Sequence, residues 1–132
     1  MEQTFFFVKP EAVRRGLVGI VIQRFEARGL KLKKLAVKQL DKATVEEHYA
    51  HLKDKPFFAE LVETITDGPV VMGVLEGVDA IKVVRNIVGA TNPLEAAPGT
   101  IRGDYGTVLP HNVVHASDGP ETAEIEIKRF FG

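Results

Sequence analysis

The chain has 132 residues, no cysteine and a formal net charge of −1, from 17 basic and 18 acidic side chains. This length predicts one domain, residues 1–132, that is large enough to bury its own core. The even charge balance argues against dedicated nucleic-acid binding, and the lack of cysteine excludes disulfides, a cysteine nucleophile and a thiolate zinc site.

The first third of the chain alternates strand and helix patterns. Residues 4–8 form an apolar, aromatic-rich run ended by Pro10, which predicts a buried strand. Residues 17–25 place five apolar side chains on one helical face, and Gly29 stands where that helix should end. Residues 30–40 predict a strand with one slip in its alternation, which a bulge would explain.

Two helices and a central strand are predicted next. Asp41 or Thr44 can cap a helix that runs to about residue 52. Pro56 suits the first turn of a second helix, residues 57–65. A short, continuous apolar run then predicts a central strand over residues 69–75.

The last third contains a long loop between two predicted helices. Residues 79–88 predict a helix stopped by Gly89, and residues 91–105 have no apolar period, which is typical of a functional loop. Residues 112–115 could form a final short strand. A last helix, capped by Ser117 or Asp118 and with Pro120 near its start, should run to about Phe130.

The order of these elements favours an α+β fold with a ferredoxin-like split βαβ core, a four-stranded antiparallel sheet and added helices. A doubly wound sheet would need more strands. The longest apolar stretches, residues 17–22 and 69–75, are too short to span a bilayer, and the first residues lack the basic start of a secretory signal. We therefore expect a cytoplasmic protein without a membrane partner.

No Walker A loop and no dinucleotide-binding glycine motif occur in the sequence. A phosphate ligand would therefore have to be bound by side chains, and Arg is the residue that forks onto phosphate oxygens. Lys9 follows the first strand, Arg85 lies on the helix before the long loop, and Thr91 and Arg102 lie on that loop. Each basic side chain taken alone also fits a solvated surface charge.

Four histidines and two adjacent phenylalanines could carry chemistry or binding. His115 lies between an apolar pair and a helix start, where it could act as nucleophile or base or be a hydrogen-bonded structural histidine. His48 and His51 lack the flanking partners of a known zinc motif, and His111 belongs to a loop. Of Phe57 and Phe58, one should be core and the other could stack on a base.

Seven segments together resemble the nucleoside diphosphate kinase family, in order and over nearly the whole chain. The most specific is NVVHASD at residues 112–118, which is similar to the family's active-site signature. The others are residues 4–10, 15–19, 55–58, 67–71, 89–93 and 98–104.

The resemblance implies a role for each matching residue. His115 would be the phosphorylated nucleophile, oriented by Glu126 and Ser117, with Tyr49 beside the nucleotide in the same catalytic group. Magnesium would arrive mainly on the nucleotide's phosphates, so no protein metal site is implied. The residues implied to bind the phosphates and sugar are Lys9, Arg85, Thr91, Arg102 and Asn112, and those implied to contact the base are Phe57, Leu61 and Leu109.

The implied activity is transfer of the terminal phosphoryl group from ATP to nucleoside diphosphates, by a ping-pong mechanism, in a homo-oligomer built from dimers. A non-catalytic nucleotide-binding or interaction module on the same fold is the alternative, and a histidine phosphocarrier is a third. Three positions depart from the family pattern: Ala116 replaces the usual Gly, Lys55 a common Arg, and the sequence ends at Gly132, before the longer tail of many relatives. We expect an ordinary backbone at Ala116.

Overall fold

The computed structural model describes residues 1–132 and contains one four-stranded sheet. The strands are β1 (Glu2–Val8), β2 (Lys31–Lys38), β3 (Val70–Gly77) and β4 (Val114–Ala116). Their order is β2-β3-β1-β4, and all three neighbouring pairs are antiparallel. The predicted ferredoxin-like core is therefore confirmed, with the 69–75 run at the centre of the sheet as β3.

Seven α-helices and two 3-10 helices surround the sheet. The α-helices are α1 (Pro10–Arg14), α2 (Val18–Ala27), α3 (Lys42–His48), α4 (Phe58–Thr66), α5 (Ala80–Val88), α6 (Ile101–Tyr105) and α7 (Pro120–Phe131). The 3-10 helices are Ala50–Leu52 and Pro93–Glu95. No helix is both long enough and apolar enough to cross a membrane.

The apolar run in β1 is continuous because both of its faces are buried. Successive side chains of a strand point to opposite faces. Phe6 and Val8 join a core with α2 and α5, whereas Phe5 and Phe7 join a second core with α3, α4 and α7. A helical layer thus covers each face of the sheet.

Several details of the sequence prediction are confirmed. The register of β2 against β3 shifts between Leu32 and Lys34, which is the expected bulge. Asp41 caps α3 by accepting a hydrogen bond from the Thr44 amide. Gly89 ends α5 at a φ of +91°, a conformation that glycine adopts without strain.

Other details were wrong. The strand ends before Pro10 as predicted, but Pro10 also begins a short helix, α1, that was not predicted. Helix α3 stops at His48, short of residue 52, and Pro56 precedes the α4 cap, Phe57. The long loop contains α6, which is capped by Thr100 through the Gly103 amide.

The cap of the last helix was also assigned to the wrong residue. The residue before α7 is Gly119, and it makes no side-chain cap hydrogen bond. Ser117 does not cap the helix, because its buried hydroxyl donates instead to the carboxylate of Glu126. Asp118 is exposed.

Candidate active site

His115 occupies the middle of β4, directly opposite Phe7 of β1. Its side chain points to the face covered by α3 and α7, and its ring stacks on Phe7 with centroids 5.0 Å apart. The ring of His48 meets the ring of His115 edge-on, with centroids 4.5 Å apart. His115 keeps 19% of its side chain exposed, so a substrate can reach it.

A buried carboxylate fixes the orientation of His115. Nε2 of His115 lies 3.0 Å from Oε1 of Glu126, and the Ser117 hydroxyl donates to the same oxygen at 2.6 Å. Burial opposes ionisation of Glu126, but the hydrogen bonds from His115 and Ser117 outweigh it and lower the pKa of Glu126 below its usual value. An ionised carboxylate only accepts, so Nε2 carries the proton and Nδ1 has the free lone pair.

His115 is neutral at physiological pH. Burial lowers the pKa of His115, and the charges of Lys9 and Arg102 act in the same direction. The hydrogen bond to Glu126 acts in the opposite direction without reversing the shift. The imidazole therefore has an unprotonated Nδ1, which is the state that a nucleophile requires.

The buried guanidinium of Arg102 is held by three backbone carbonyls. Its Nε donates to Asn112 O at 3.2 Å, Nη1 to Gly89 O at 3.2 Å and Nη2 to Val114 O at 2.7 Å. Burial lowers the pKa of Arg102 to about 10, so it is charged at neutral pH. A single side chain thus joins α6, the end of α5 and the segment leading to β4.

Lys9 and Asn112 form the second buried polar group. The ammonium of Lys9 donates to Oδ1 of Asn112, and the Asn112 amide donates to Thr91 O at 2.9 Å. Burial first, and then the charge of Arg102, lower the pKa of Lys9 to about 7. An anion bound here would favour the charged form of Lys9.

Val113 has a strained backbone next to these groups. Its φ is +74°, a region that β-branched residues rarely adopt. Its carbonyl accepts from the Lys9 amide at 2.9 Å, and the carbonyls on either side of it accept from Arg102. Such strain persists where the surroundings over-determine the conformation, as these three hydrogen-bonded carbonyls do here.

The remaining predicted residues divide between the site wall and its exposed rim. Arg85 is half-buried and donates to Ala116 O at 3.4 Å, whereas the side chain of Thr91 is exposed. Tyr49 is buried, burial raises its pKa, and its ring centroid lies 6.5 Å from that of His115.

The apolar residues implied to contact a base differ in exposure. Phe57 and Leu109 are 49% and 48% exposed. Phe58 packs against the second core, so one phenylalanine of the pair is exposed and the other is core, as predicted. Leu61 is buried in that core and offers little surface to a ligand.

His48 is the site residue that sequence reasoning missed. Its ring is buried beside His115, whereas His51 is exposed, so the two do not form a pair. Val45, His48 and Tyr49 recur at helical spacing on an apolar face, and that pattern is the signal that could have placed His48 inside. Ligating atoms of His48, His115 and Glu126 lie within 4.8 Å of one another. The Arg129 guanidinium, which donates to His48 Nδ1 at 3.1 Å, opposes a cation there.

Ala116 has an ordinary backbone, as expected. It belongs to β4, and the positive-φ residues other than glycine are Asp79 and Val113. The methyl group is therefore compatible with the local conformation.

A neutral imidazole oriented by a carboxylate, beside dehydrated cations on a ferredoxin-like fold, defines a phosphotransferase of the phosphohistidine type. The family model for nucleoside diphosphate kinase matches residues 2–132. The chain belongs to the nucleoside diphosphate kinase family, which confirms the resemblance seen in the sequence.

Individual relatives and solved structures agree with this assignment. The chain is 58% identical to a nucleoside diphosphate kinase of Archaeoglobus fulgidus, covering 99% of this chain and 87% of the relative. It is 54% identical to one of Symbiobacterium thermophilum, over 100% and 88%.

Two solved structures show the same fold. The apo nucleoside diphosphate kinase of Encephalitozoon cuniculi has a TM-score of 0.98 at 45% identity and covers 100% of this chain and 90% of its own. The Halobacterium salinarum enzyme, solved in complex with CDP, has a TM-score of 0.96 at 49% identity, over 98% and 87%.

Proposed function

We propose that this chain transfers the terminal phosphoryl group of a nucleoside triphosphate such as ATP to nucleoside diphosphates through phosphorylated His115. The observation that carries the proposal is the hydrogen bond between Nε2 of His115 and Glu126, which leaves Nδ1 as the nucleophile beside the cations.

The chemistry balances without an external base. In the first half-reaction the Nδ1 lone pair attacks the γ-phosphorus, the bond to the β,γ-bridging oxygen breaks, and the diphosphate leaves with that electron pair. The imidazole ring becomes positive, and Glu126 compensates this charge through Nε2–H. In the second half-reaction a terminal oxygen of the acceptor diphosphate attacks the phosphorus, and the nitrogen–phosphorus bond breaks.

The cations supply electrostatic stabilisation to the transferring group. Negative charge lies on the equatorial phosphoryl oxygens throughout the transfer. Lys9 and Arg102 are both buried and hydrogen-bonded in position, so they need no reorganisation during the reaction. Arg85 and Thr91 would complete the phosphate contacts, and Asn112 would bind the sugar.

The site suits a magnesium ion that is bound by the phosphates of the nucleotide rather than by protein side chains. Among the side chains gathered around His115 the one carboxylate is Glu126, and it is already bonded to His115 and Ser117. Lys9 and Arg102 are cations and cannot bind Mg²⁺, and Oδ1 of Asn112 already accepts from Lys9. The phosphates would therefore hold the ion, whose contribution when bound is to neutralise their charge.

The base would lie between Phe57 and Leu109, with Leu61 beneath it. Phe57 is half-exposed and has no polar partner, so it would stack on the π-face that every base possesses. We therefore propose weak selectivity among bases. The CDP complex of the Halobacterium salinarum relative supports acceptance of a pyrimidine.

The alternatives explain fewer features. A non-catalytic module would not require a neutral histidine, an ionised glutamate and a serine to converge. A phosphocarrier that passes phosphate to a protein would leave the exposed Phe57 and the fixed Asn112 without a role.

A homo-oligomer built from dimers is supported by the edge strand β2. Leu35 and Val37 on this strand are 50% and 71% exposed. Only one side of β2 is paired within the sheet. A second copy would cover these side chains and pair the free edge. The cytoplasmic location stays a prediction.

Steady-state kinetics with ATP and a variable diphosphate acceptor test the proposal. Parallel double-reciprocal lines are expected, because the donor's product leaves before the acceptor binds. His115→Ala should abolish turnover, and His51→Ala, on the exposed histidine, is the matched control that should retain it. Intersecting lines, or turnover in His115→Ala, would contradict the phosphohistidine route.

A further inference from the structure

His48 lies at the end of α3, 6% exposed and enclosed by rings. Its centroid is 4.5 Å from Tyr49, 4.5 Å from His115 and 5.3 Å from Phe130. The proposed phosphoryl transfer does not use this imidazole, although it lies against both the nucleophile and the glutamate that orients it.

One nitrogen of His48 faces two groups of opposite character. Nη1 of Arg129 lies 3.1 Å from Nδ1 of His48, and Oε2 of Glu126 lies 3.7 Å from the same atom. Arg129 and Glu126 are three residues apart on α7, so they lie on one side of that helix. A guanidinium only donates and a carboxylate only accepts. Nδ1 can therefore accept from Arg129 when it is bare, or donate to Glu126 when it is protonated, but not both.

The choice between these states matters for Glu126. In the structure Arg129 holds Nδ1 at hydrogen-bond distance, while the separation from Glu126 is too long for a hydrogen bond. Protonation of Nδ1 would draw Glu126 toward His48. The carboxylate would then share its charge between two imidazoles and stabilise the positive ring of phosphorylated His115 less.

We propose that Arg129 is a positioning residue that keeps His48 in the neutral tautomer with the proton on Nε2, and so reserves Glu126 for His115. The inference rests on the proposed role of His115 as nucleophile. Arg129 acts through His48 and does not touch the reacting atoms. It is 17% exposed at the end of α7, and its Nε lies 3.8 Å from Glu47.

His48 is neutral at the pH of the reaction. Burial lowers the pKa of His48 to about 3, and interactions with His115, Arg129 and His51 act in the same direction, whereas Glu126 acts in the opposite direction without reversing the shift. Tyr49, with a raised pKa, stays neutral as well. Removal of Arg129 takes away the donor that fixes the tautomer, so the neutral ring can carry its proton on Nδ1 and form the competing bond to Glu126.

Nitrogen-15 NMR of the imidazoles in the full-length protein reads the tautomer directly. In the wild type, His48 should show a bare Nδ1 and a protonated Nε2 from a pH of about 5.5 to about 8, a range that spans the ordinary pKa of histidine. Arg129→Met should shift the neutral ring toward the tautomer with the proton on Nδ1, and by the same extent across this range, because exchange between two neutral tautomers takes up no proton. Arg129→Lys, which still donates a hydrogen bond, should restore the wild-type spectrum.

The rate of His115 phosphorylation by ATP in a single turnover is the second readout. Arg129→Met should slow it about tenfold, the effect expected when a charged hydrogen bond is lost. The slowing should be the same at a pH of about 6 and a pH of about 8, because both tautomers of His48 are neutral. Lys128→Met removes the same charge from the exposed neighbouring position on α7 and should change neither readout.

A double-variant experiment distinguishes positioning of His48 by Arg129 from a general structural effect. Asn at position 48 offers an oxygen acceptor that cannot be protonated at these pH values. His48→Asn should therefore abolish the effect of Arg129→Met on the rate, so that the double variant behaves like His48→Asn alone. Slowing by Arg129→Met that persists in the His48→Asn background, or an unchanged His48 tautomer, would overturn the proposal. Failure of the phosphohistidine route would instead appear as an unlabelled His115 in the wild type, with the His48 spectra unaffected.

Discussion

The two ends of the candidate nucleotide site are built differently. At the phosphate end, Arg102, Asn112 and Glu126 are each less than 5% exposed and hydrogen-bonded in place. At the base end, Phe57 and Leu109 are about half exposed and have only apolar surface to offer. Under the proposed function, the groups that would act on the transferring phosphorus are rigidly held, whereas the surface that would bind the base is exposed and lacks polar contacts.

The largest effect is expected at Arg102. Arg102→Ala should lower kcat/KM about 10²- to 10³-fold, the usual loss when a preorganised electrostatic group is removed. Arg102→Lys should recover only part of this, because an ammonium cannot bond three carbonyls and a phosphate in the planar geometry of Arg. Steady-state kinetics measure it, with Arg28→Lys on the exposed end of α2 as the control. Full activity in Arg102→Lys would mean that charge alone matters.

Phe57→Ala should raise KM and leave kcat nearly unchanged. The base is far from the reacting phosphorus, so stacking contributes equally in ground and transition states. A loss of roughly 1–3 kcal/mol of stacking corresponds to a KM increase of about 5- to 150-fold. The substitution should raise KM for both purine and pyrimidine diphosphates, and the increase should be somewhat larger for purines.

Phe58→Ala is the matched variant for that prediction. Because Phe58 packs against the core, its loss should lower the melting temperature and leave KM nearly unchanged. If Phe57→Ala reduced kcat as much as kcat/KM, the base end would also position the phosphates, and the contrast between the two ends would be lost.

A smaller effect is expected from the titration of Lys9. In the free enzyme the pKa of Lys9 is about 7, so the ammonium loses its proton as the pH rises above that value. Bound phosphate favours the charged form. Nucleotide binding at a pH of about 8 should therefore take up a fraction of a proton, and affinity should fall by up to about tenfold per pH unit above the pKa. Calorimetry in buffers of different ionisation enthalpy measures the uptake. Lys9→Met should abolish it, and uptake that persists there belongs to another group.

The smallest effect is expected at Ala116. Its strand backbone tolerates a side chain, so Ala116→Gly should change kcat less than about twofold. The added backbone freedom should lower stability by roughly 0.5–1 kcal/mol. Thermal unfolding and kinetics check both. A large gain in activity would show that the methyl group obstructs the phosphoryl position.

Periodicity predicted the sheet and the longer helices well, because these elements bury apolar faces that repeat every two or 3.6 residues. The α6 turn and the cap of α7 were missed for different reasons. The α6 turn is short and lies in a segment without an apolar period, although its cap, Thr100, bonds locally to the Gly103 amide. Ser117 was available as a cap for α7, but Glu126 takes its hydroxyl.

The candidate site was harder to predict from sequence periodicity than the fold was. Its residues come from β4, α6, α7 and the turn after β1, and the motifs named most of them through resemblance rather than geometry. The strained Val113 and the buried His48 had no strong local signal. Their roles arise from Arg102 and Arg129, which reach them from other elements.

The position of the phosphoryl group on the protein tests the central claim most directly. After incubation with ATP and Mg²⁺, the modified protein can be examined by phosphorus-31 and nitrogen-15 NMR, before and after mild acid. The account predicts an acid-labile phosphoryl group on Nδ1 of His115, because Nε2 is bonded to Glu126. A phosphoryl group on Nε2, or an acid-stable one on Ser117, would contradict it.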